Sequence, residues 1–175
     1  MLEDTQFSSE TPKYSLRSVD TLEEEIRSDL LKLLERGGKS SGALRELLIE
    51  KEHQPELVDQ LIARFIEVGL IDDFGLAKDL AENLANRKSK ARGLIARDLR
   101  EKGFSSEVIE HALAQLDQDA ELETAKDLAV NKMSRLSSLE PQVRARRVAG
   151  FLGRKGYSAS VVWTAVKFAE ESLSN

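Results

Sequence analysis

The sequence predicts an all-α chain made of three three-helix units, and two recurring words are the main observations behind this prediction. Ala-Lys-Asp-Leu-Ala occurs at residues 77–81 and again at 125–129, and Lys-Gly-aromatic-Ser occurs at 102–105 and again at 155–158. Self-similarity at a period of about 50 residues is typical of proteins that stack copies of one supersecondary unit. Sustained alternation of apolar and polar residues, which would indicate strands, is nearly absent from the sequence.

The middle unit shows its helices most clearly. Asp72 or Asp73 can cap a first helix in which apolar residues recur three and four positions apart. A polar stretch then leads to a second helix with Ile95 and Leu99 on one face. The last unit repeats this pattern after a longer loop. In the first unit, a long helix ends at a break rich in Gly and Ser, residues 37–42.

A glycine marks the corner between the second and third helices of two units. Gly103 and Gly156 follow the last apolar residue of the second helix, where a left-handed residue ends a helix and glycine is favoured. We therefore predict a positive φ at both positions. Ser105 caps the helix that follows, and Phe104 packs on it as a hydrophobic staple. Glu52 stands at the corresponding position of the first unit, so we expect that corner to be built differently.

These patterns divide the chain into a tail and three units. The first unit covers residues 21–71, the second 72–119 and the third 120–175. Residues 1–20 are rich in Ser, Thr and Glu, and we predict that they form a disordered tail.

Composition limits the environment and the chemistry of the chain. Its 175 residues include no cysteine, which excludes disulfides and thiolate metal sites and suits a reducing compartment. No apolar run approaches the ~20 residues of a membrane span, and the N-terminus lacks the apolar stretch of a signal peptide. We therefore expect a cytoplasmic protein without a membrane partner.

Charge is distributed unevenly along the chain. The formal net charge is −5, yet residues 87–102 and 132–155 are strongly basic. Two basic segments on an otherwise acidic protein favour local contacts with anions rather than general adhesion to nucleic acid.

Three sequence words, found in order, resemble a known family. Residues 69–73 are Gly-Leu-Ile-Asp-Asp, residues 97–103 are Arg-Asp-Leu-Arg-Glu-Lys-Gly, and residues 153–158 are Gly-Arg-Lys-Gly-Tyr-Ser. Together they resemble the motifs of the RecX family, bacterial regulators of the RecA recombinase, over roughly residues 27–172. Leu76, where the family often has Phe, and the Glu52-His53 corner depart from the family pattern.

The resemblance implies a shape and a partner. It implies three tandem three-helix repeats in an elongated, curved array that binds along the helical groove of a RecA–DNA filament. There the protein would lower ATP hydrolysis and strand exchange, with roles in recombination, DNA repair and the SOS response. The alternatives are a helical repeat protein that binds DNA without RecA, and a helical adaptor for an unrelated protein.

Candidate partner-binding residues come from the two basic segments and from the single tryptophan. Arg92 and Arg100 lie eight residues apart and so project from one helix face, and the arginines of the third unit fall near one stripe. Trp163 aligns with polar residues of the other units, and an exposed Trp is enriched at binding interfaces. The alternative is that Trp163 packs on the first helix of its own unit or on the N-terminal tail. The full set is Arg92, Arg97, Arg100, Arg144, Arg147, Arg154 and Trp163.

The sequence predicts no catalytic residue, cofactor or metal, and hence a protein that is not an enzyme. Residues 38–40, Gly-Lys-Ser, lack the first glycine and the preceding strand of a phosphate-binding loop. His53 and His111 have no ligand partners at metal-binding spacing, and we expect both to be ordinary surface residues. We expect a monomer whose partners are the RecA filament and, through the basic segments, DNA phosphates.

Overall fold

The structure, a computed structural model, describes residues 19–174, which form nine α-helices and no strand. Residues 1–18 of the predicted tail lie outside the described residues, and the first helix begins at Val19. In chain order the helices are α1 Val19–Glu35, α2 Ser41–Ile49, α3 Pro55–Glu67, α4 Asp73–Lys88, α5 Arg92–Glu101, α6 Ser106–Ala114, α7 Gln118–Ser134, α8 Pro141–Arg154 and α9 Ala159–Ser174.

The helices form three consecutive triples, α1–α3, α4–α6 and α7–α9, which we call repeats 1, 2 and 3. Extensive contacts between helices occur only within a triple, and each triple encloses its own hydrophobic cluster. This is an elongated array, in which a repeat contacts only its neighbours. The all-α prediction with three tandem three-helix repeats is confirmed.

The middle helix of every repeat buries two apolar residues four positions apart. These pairs are Leu44 and Leu48, Ile95 and Leu99, and Val148 and Leu152, each at most 1% exposed. The first helices differ, because Ile26 and Leu30 of α1 are replaced by alanines in α4 and α7. Small side chains let helices approach closely, and α7 and α9 make the most extensive contact of all described helix pairs.

All three corners use the same backbone conformation. Gly103 and Gly156 have φ of 81° and 88°, as predicted, and Glu52 has φ of 65°. The expectation that the Glu52 corner is built differently is therefore wrong. A non-glycine residue in this region costs about 1–2 kcal/mol, which one corner can tolerate.

Close approach of the preceding repeat explains why two corners need glycine and the first does not. A Cβ on Gly103 would lie 2.8 Å from the backbone nitrogen of Ala43, and a Cβ on Gly156 would lie 2.6 Å from that of Leu94. Ala43 and Leu94 belong to the second helix of the preceding repeat. Glu52 is in the first repeat and meets no such neighbour.

A second glycine completes each of these contacts from the other side. A Cβ on Gly42 would lie 2.2 Å from the carbonyl oxygen of Gly103, and a Cβ on Gly93 would lie 3.0 Å from that of Gly156. Each boundary between repeats is thus a pair of glycines, and we refer to these boundaries as junction 1 (repeats 1 and 2) and junction 2 (repeats 2 and 3).

Each junction is held by a carboxylate from the first helix of the following repeat, which binds the start of the second helix of the preceding repeat. At junction 1, Asp73 accepts the backbone N–H and the hydroxyl of Ser41, at 2.8 and 2.5 Å. At junction 2, Glu121 accepts the backbone N–H of Arg92 at 3.2 Å and its Nε–H at 3.0 Å. The N-terminus of a helix carries a partial positive charge, so both carboxylates are favourably placed. The two junctions are therefore built on one plan.

Junction 2 has further polar contacts. The Tyr157 hydroxyl donates to the carbonyl of Ser89 at 3.3 Å, and the ammonium of Lys155 donates to the carbonyl of Lys88 at 3.1 Å. Burial, with a smaller contribution from Glu121, raises the pKa of Tyr157 to about 12, so the hydroxyl stays protonated at neutral pH.

An ionic cluster joins the first helix of repeat 1 to its corner. Asp29 contacts the ammonium of Lys51 at 2.9 Å and Nε2 of His53 at 3.1 Å. The hydrogen bond from Lys51, followed by that from His53, lowers the pKa of Asp29 from 3.8 to about 2. The His53 side chain is only 14% exposed, so the expectation that it is an ordinary surface residue is wrong.

This cluster predicts a pH dependence of stability. A carboxyl whose pKa is lower in the folded state stabilises the fold above its unfolded pKa and loses that contribution as the pH falls through the folded value. We expect Asp29→Asn to lower the melting temperature at pH 5–7, and the difference from the parent to disappear as the pH falls from about 4 to about 2. Asp79→Asn, at an exposed position without an ion pair among the described residues, is the control and should show no such convergence. A constant difference across this range for Asp29→Asn would contradict the ionic explanation.

Candidate interaction surface

Helix α8 presents the densest set of unpaired cations. Its residues include four arginines and no acidic residue, and none of the four forms an ion pair within the described part of the chain. Arg146, Arg147 and Arg154 are exposed, whereas Arg144 is half-buried and its shielded Nε has no hydrogen-bond partner there. The apolar residues Val148 and Leu152 direct the helix inward, which leaves the guanidinium groups of the three exposed arginines on the outer side, whereas Arg144 lies one turn from Val148 at the edge of the core.

The predicted arginines of α5 have three different environments. Arg92 is turned into junction 2, where it pairs with Glu121 and also donates to the carbonyl of Leu116. Arg97 forms a highly exposed pair with Glu101 at 3.5 Å, which contributes little to stability. Arg100 is exposed and unpaired among the described residues. The shared face predicted for Arg92 and Arg100 therefore leaves only Arg100 available to a partner.

The ring of Phe151, on α8, lies close to two cations, and its role was not predicted from the sequence. The ammonium groups of Lys132 and Lys155 lie 5.5 and 5.8 Å from the centre of the Phe151 ring. Lys132, Arg135 and Phe151 also line a surface cavity of about 340 Å³. Ammonium groups at these distances are attracted to the face of an aromatic ring. We call Lys132, Arg135, Phe151 and Lys155 the Phe151 cluster.

Helical spacing offers only a partial signal for this cluster. Phe151 lies on α8, and Lys155 directly follows the end of that helix, four residues later. Lys132 lies in the last turn of α7, and Arg135 directly follows it. The packing of α7 against α8 brings the two pairs together.

Trp163 is exposed, which favours the alignment with polar residues of the other repeats over packing within its own repeat. Its side chain is 59% exposed, although it lies on α9 between the buried residues Val162 and Ala165. The third repeat therefore carries three arginines of α8 and the single tryptophan of the chain on its accessible surface.

Two family models match consecutive parts of this array. Residues 72–113 match the second three-helix domain of RecX, and residues 119–166 match the third. The chain is 37% identical over 148 residues to the Regulatory protein RecX of Streptomyces coelicolor, covering 85% of this chain and 79% of that protein. It is 33% identical over 140 residues to the Regulatory protein RecX of Mycobacterium ulcerans, covering 79% of this chain and 81% of that protein.

The chain belongs to the RecX family. Solved RecX structures agree with the fold: one crystal structure of a regulatory protein RecX superposes with a TM-score of 0.73 at 26% identity, covering 85% of this chain and 72% of that one. RecX from Lactobacillus salivarius superposes with a TM-score of 0.80, covering 87% of this chain and 99% of that one, and at 18% identity it supports the fold alone. RecX is a family of regulatory proteins, so the family resemblance stated from three sequence words is confirmed.

The RecX words lie at the places that join repeats. Residues 69–73 connect repeats 1 and 2, and residues 97–103 and 153–158 contain the corner glycines that meet the preceding repeat. Among the residues that the structure describes, no helix is both long and apolar enough to cross a membrane. The sequence motifs of this RecX protein therefore report on the junctions, and of the unpaired arginines on α8 only Arg154 lies within a motif.

Trp163 provides a direct test of surface contact. We expect the indole to emit at long wavelength in the free protein, and Trp163→Ala to leave the melting temperature almost unchanged, because the side chain is 59% exposed. Binding of a partner at this surface should shift the emission to shorter wavelength after the partner's own fluorescence is subtracted. Short-wavelength emission from the free protein, with a large loss of stability in Trp163→Ala, would assign the residue to the core instead.

Proposed function

We propose that this RecX protein binds the RecA–DNA filament through the basic surface of repeats 2 and 3, and thereby inhibits the ATPase and recombinase activities of RecA. It would act in the cytoplasm as a monomer, without catalytic activity of its own, in recombination, DNA repair and the SOS response. The observation that carries the proposal is the row of unpaired arginines on α8 beside the Phe151 cluster, in a protein of the RecX family.

The physical basis is an extended surface with local positive charge. An elongated repeat array can follow a long partner over many contacts, each of which is individually weak. The net charge of −5 opposes general attraction to polyanions, so binding depends on the few places where cations lack acidic neighbours. Among the candidate residues, Arg100, Arg147, Arg154 and Trp163 are exposed and available to a partner, and Arg144 is half-buried without an ion pair within the described residues.

A second function, DNA binding without RecA, is favoured by one specific observation. Phe151 with Lys132 and Lys155 combines an aromatic ring and cations, the two elements that bind single-stranded nucleic acid. Binding through phosphates alone weakens steeply with salt because counterions are released, whereas a contact with a protein filament should weaken less. A salt titration of binding to naked single-stranded DNA and to RecA filaments separates the two functions.

The decisive experiment is co-sedimentation with RecA assembled on single-stranded DNA, with and without nucleotide. We expect the protein to sediment with the filament and to lower its ATP hydrolysis, and we expect purified protein alone neither to hydrolyse ATP nor to cleave DNA. Sedimentation with naked DNA but not with filament would favour the second function. An ATPase that survives repurification and is absent from a mock preparation would contradict a purely regulatory role.

A further inference from the structure

The segment that joins repeats 1 and 2 exposes a group of large apolar side chains. Ile66, Val68, Leu70 and Phe74 are 46%, 68%, 55% and 42% exposed, and all four lie within nine consecutive residues. We call these four residues the connector patch. Single exposed apolar residues are ordinary, but a contiguous group on a soluble protein marks a binding surface.

Packing of the repeats does not require this exposure. Junction 2 is built on the same plan as junction 1, yet its connecting segment contains Asp117, Gln118 and Asp119, and its Leu116 is half-buried. If an apolar connector were needed to join two repeats, the second connector should contain one too. The exposed apolar residues are therefore specific to the boundary of repeats 1 and 2, and the stacking of repeats does not explain them.

A concave site lies beside the patch. A cavity of about 460 Å³ between repeats 1 and 2 is lined by the apolar side chains of Ile66, Ile71, Phe74 and Val108. The ring of His111 lies edge-on to Phe74, with centroids 5.1 Å apart, and so fixes one wall. Such a cavity can hold one large apolar side chain of a partner.

The charges around the cavity favour certain residues beside that side chain in the partner. Its charged lining residues are Asp72, Asp73 and Glu107, and no lysine or arginine is among them. Asp72 caps α4 through Gly75 and Asp73 holds Ser41, but Glu107 is exposed and makes no ion pair within the described residues. An apolar side chain next to a lysine or arginine would complement this site, and an acidic segment would be repelled.

We propose that the connector patch is a second protein-contact surface, which binds an apolar side chain flanked by a lysine or arginine on a RecA subunit of the filament. This inference rests on the proposed function and adds a contact of opposite character to the basic surface of α8. Repeats 1 and 2 then contribute an apolar and acidic contact, and repeat 3 contributes a cationic one.

The test compares matched pairs of exposed apolar residues in the full chain. We expect Val68→Ser with Leu70→Ser to weaken co-sedimentation with RecA filaments by about tenfold or more, with an unchanged melting temperature, because both side chains are more than half exposed. Leu31→Ser with Leu173→Ser, 43% and 44% exposed and outside both the patch and α8, is the control and should bind like the parent. Glu107→Lys should also weaken binding, more than Glu107→Gln.

Failure of this inference is distinguishable from failure of the proposed function. If the parent protein does not sediment with filaments, the proposed partner is wrong, and both the proposed function and this inference are contradicted. If the parent sediments and the Val68/Leu70 variant sediments equally well, the patch is not a contact, while the function proposed above stands.

Photo-crosslinking identifies what covers the patch. With Val68→benzoylphenylalanine in the full chain, we expect a crosslink to a RecA subunit in the presence of filament, located by mass spectrometry beside a lysine or arginine of RecA. A crosslink to residues 1–18 of the same chain would overturn the inference, because the patch would then be occupied by the protein's own N-terminal segment. A crosslink to a second copy of the chain would overturn it as well.

Discussion

Replacing Gly156 by Val is expected to destabilise the protein by about 3 kcal/mol or more. The residue has φ of 88°, which a β-branched side chain tolerates poorly, and a Cβ there would lie 2.6 Å from both the backbone nitrogen and the Cβ of Leu94. Neither atom belongs to a flexible side-chain end, so repeats 2 and 3 would have to move apart. Urea unfolding of the full chain measures the loss.

Two neighbouring substitutions serve as controls for this effect. Gly153→Ala lies three residues earlier on α8, where a Cβ would meet no atom within 4 Å, and it should be neutral or stabilising by up to ~1 kcal/mol. Glu52→Gly removes the strain at the first corner without touching another repeat, and it should not destabilise. Equal stability of Gly156→Val and the parent would mean that the close approach of repeats 2 and 3 does not matter.

Charge reversal on α8 is expected to have the largest effect on function. Exposed ionic contacts contribute about 0.5–1 kcal/mol each, so changing Arg144, Arg147 and Arg154 together to Glu should weaken inhibition of the RecA ATPase by roughly 10- to 100-fold. The three side chains make no ion pair within the described residues, and because Arg144 is half-buried, circular dichroism should first show that the variant keeps its helical content.

A control with the same change of net charge separates local contact from general repulsion. Lys32, Arg36 and Lys78 are exposed and lie in repeats 1 and 2, away from α8, and their change to Glu should leave inhibition within about threefold of the parent. If both triple variants inhibit as the parent does, the arginines of α8 are only a solvated face. Arg92 is not part of this test, because it holds junction 2 through Glu121.

Local physical rules were sufficient to predict the helices and their cores. The spacing of Ile95 and Leu99 selects the buried face of α5, and both residues are buried. Asp72 and Ser105 accept backbone N–H groups at the starts of α4 and α6, as short polar residues before a helix do. Each of these features depends on residues within about one helical turn, so the sequence contains the whole signal.

Contacts between repeats could not be predicted in the same way. Arg92 and Glu121 are 29 positions apart, and nothing local distinguishes Arg92 from the unpaired Arg100 on the same helix. The Glu52 corner was predicted wrongly because we took the missing glycine to mean a different backbone conformation. The corner has the same positive φ as the other two, and a side chain is possible there because no repeat precedes the first one. The Phe151 cluster likewise depends on how α7 and α8 cross.

The paired glycines also determine where the array can end. The two outer positions that correspond to junction glycines hold Glu52 in the first repeat and Arg146 in the third. Both residues carry a Cβ, which at the glycines of the internal junctions would lie 2.2 to 3.0 Å from the neighbouring repeat, and α8 also begins with an additional turn at Pro141. We therefore expect that copies of the chain do not stack on one another as the internal repeats do. Under the proposed function, molecules bound along a filament would then be separate units, each able to arrive and leave without its neighbours.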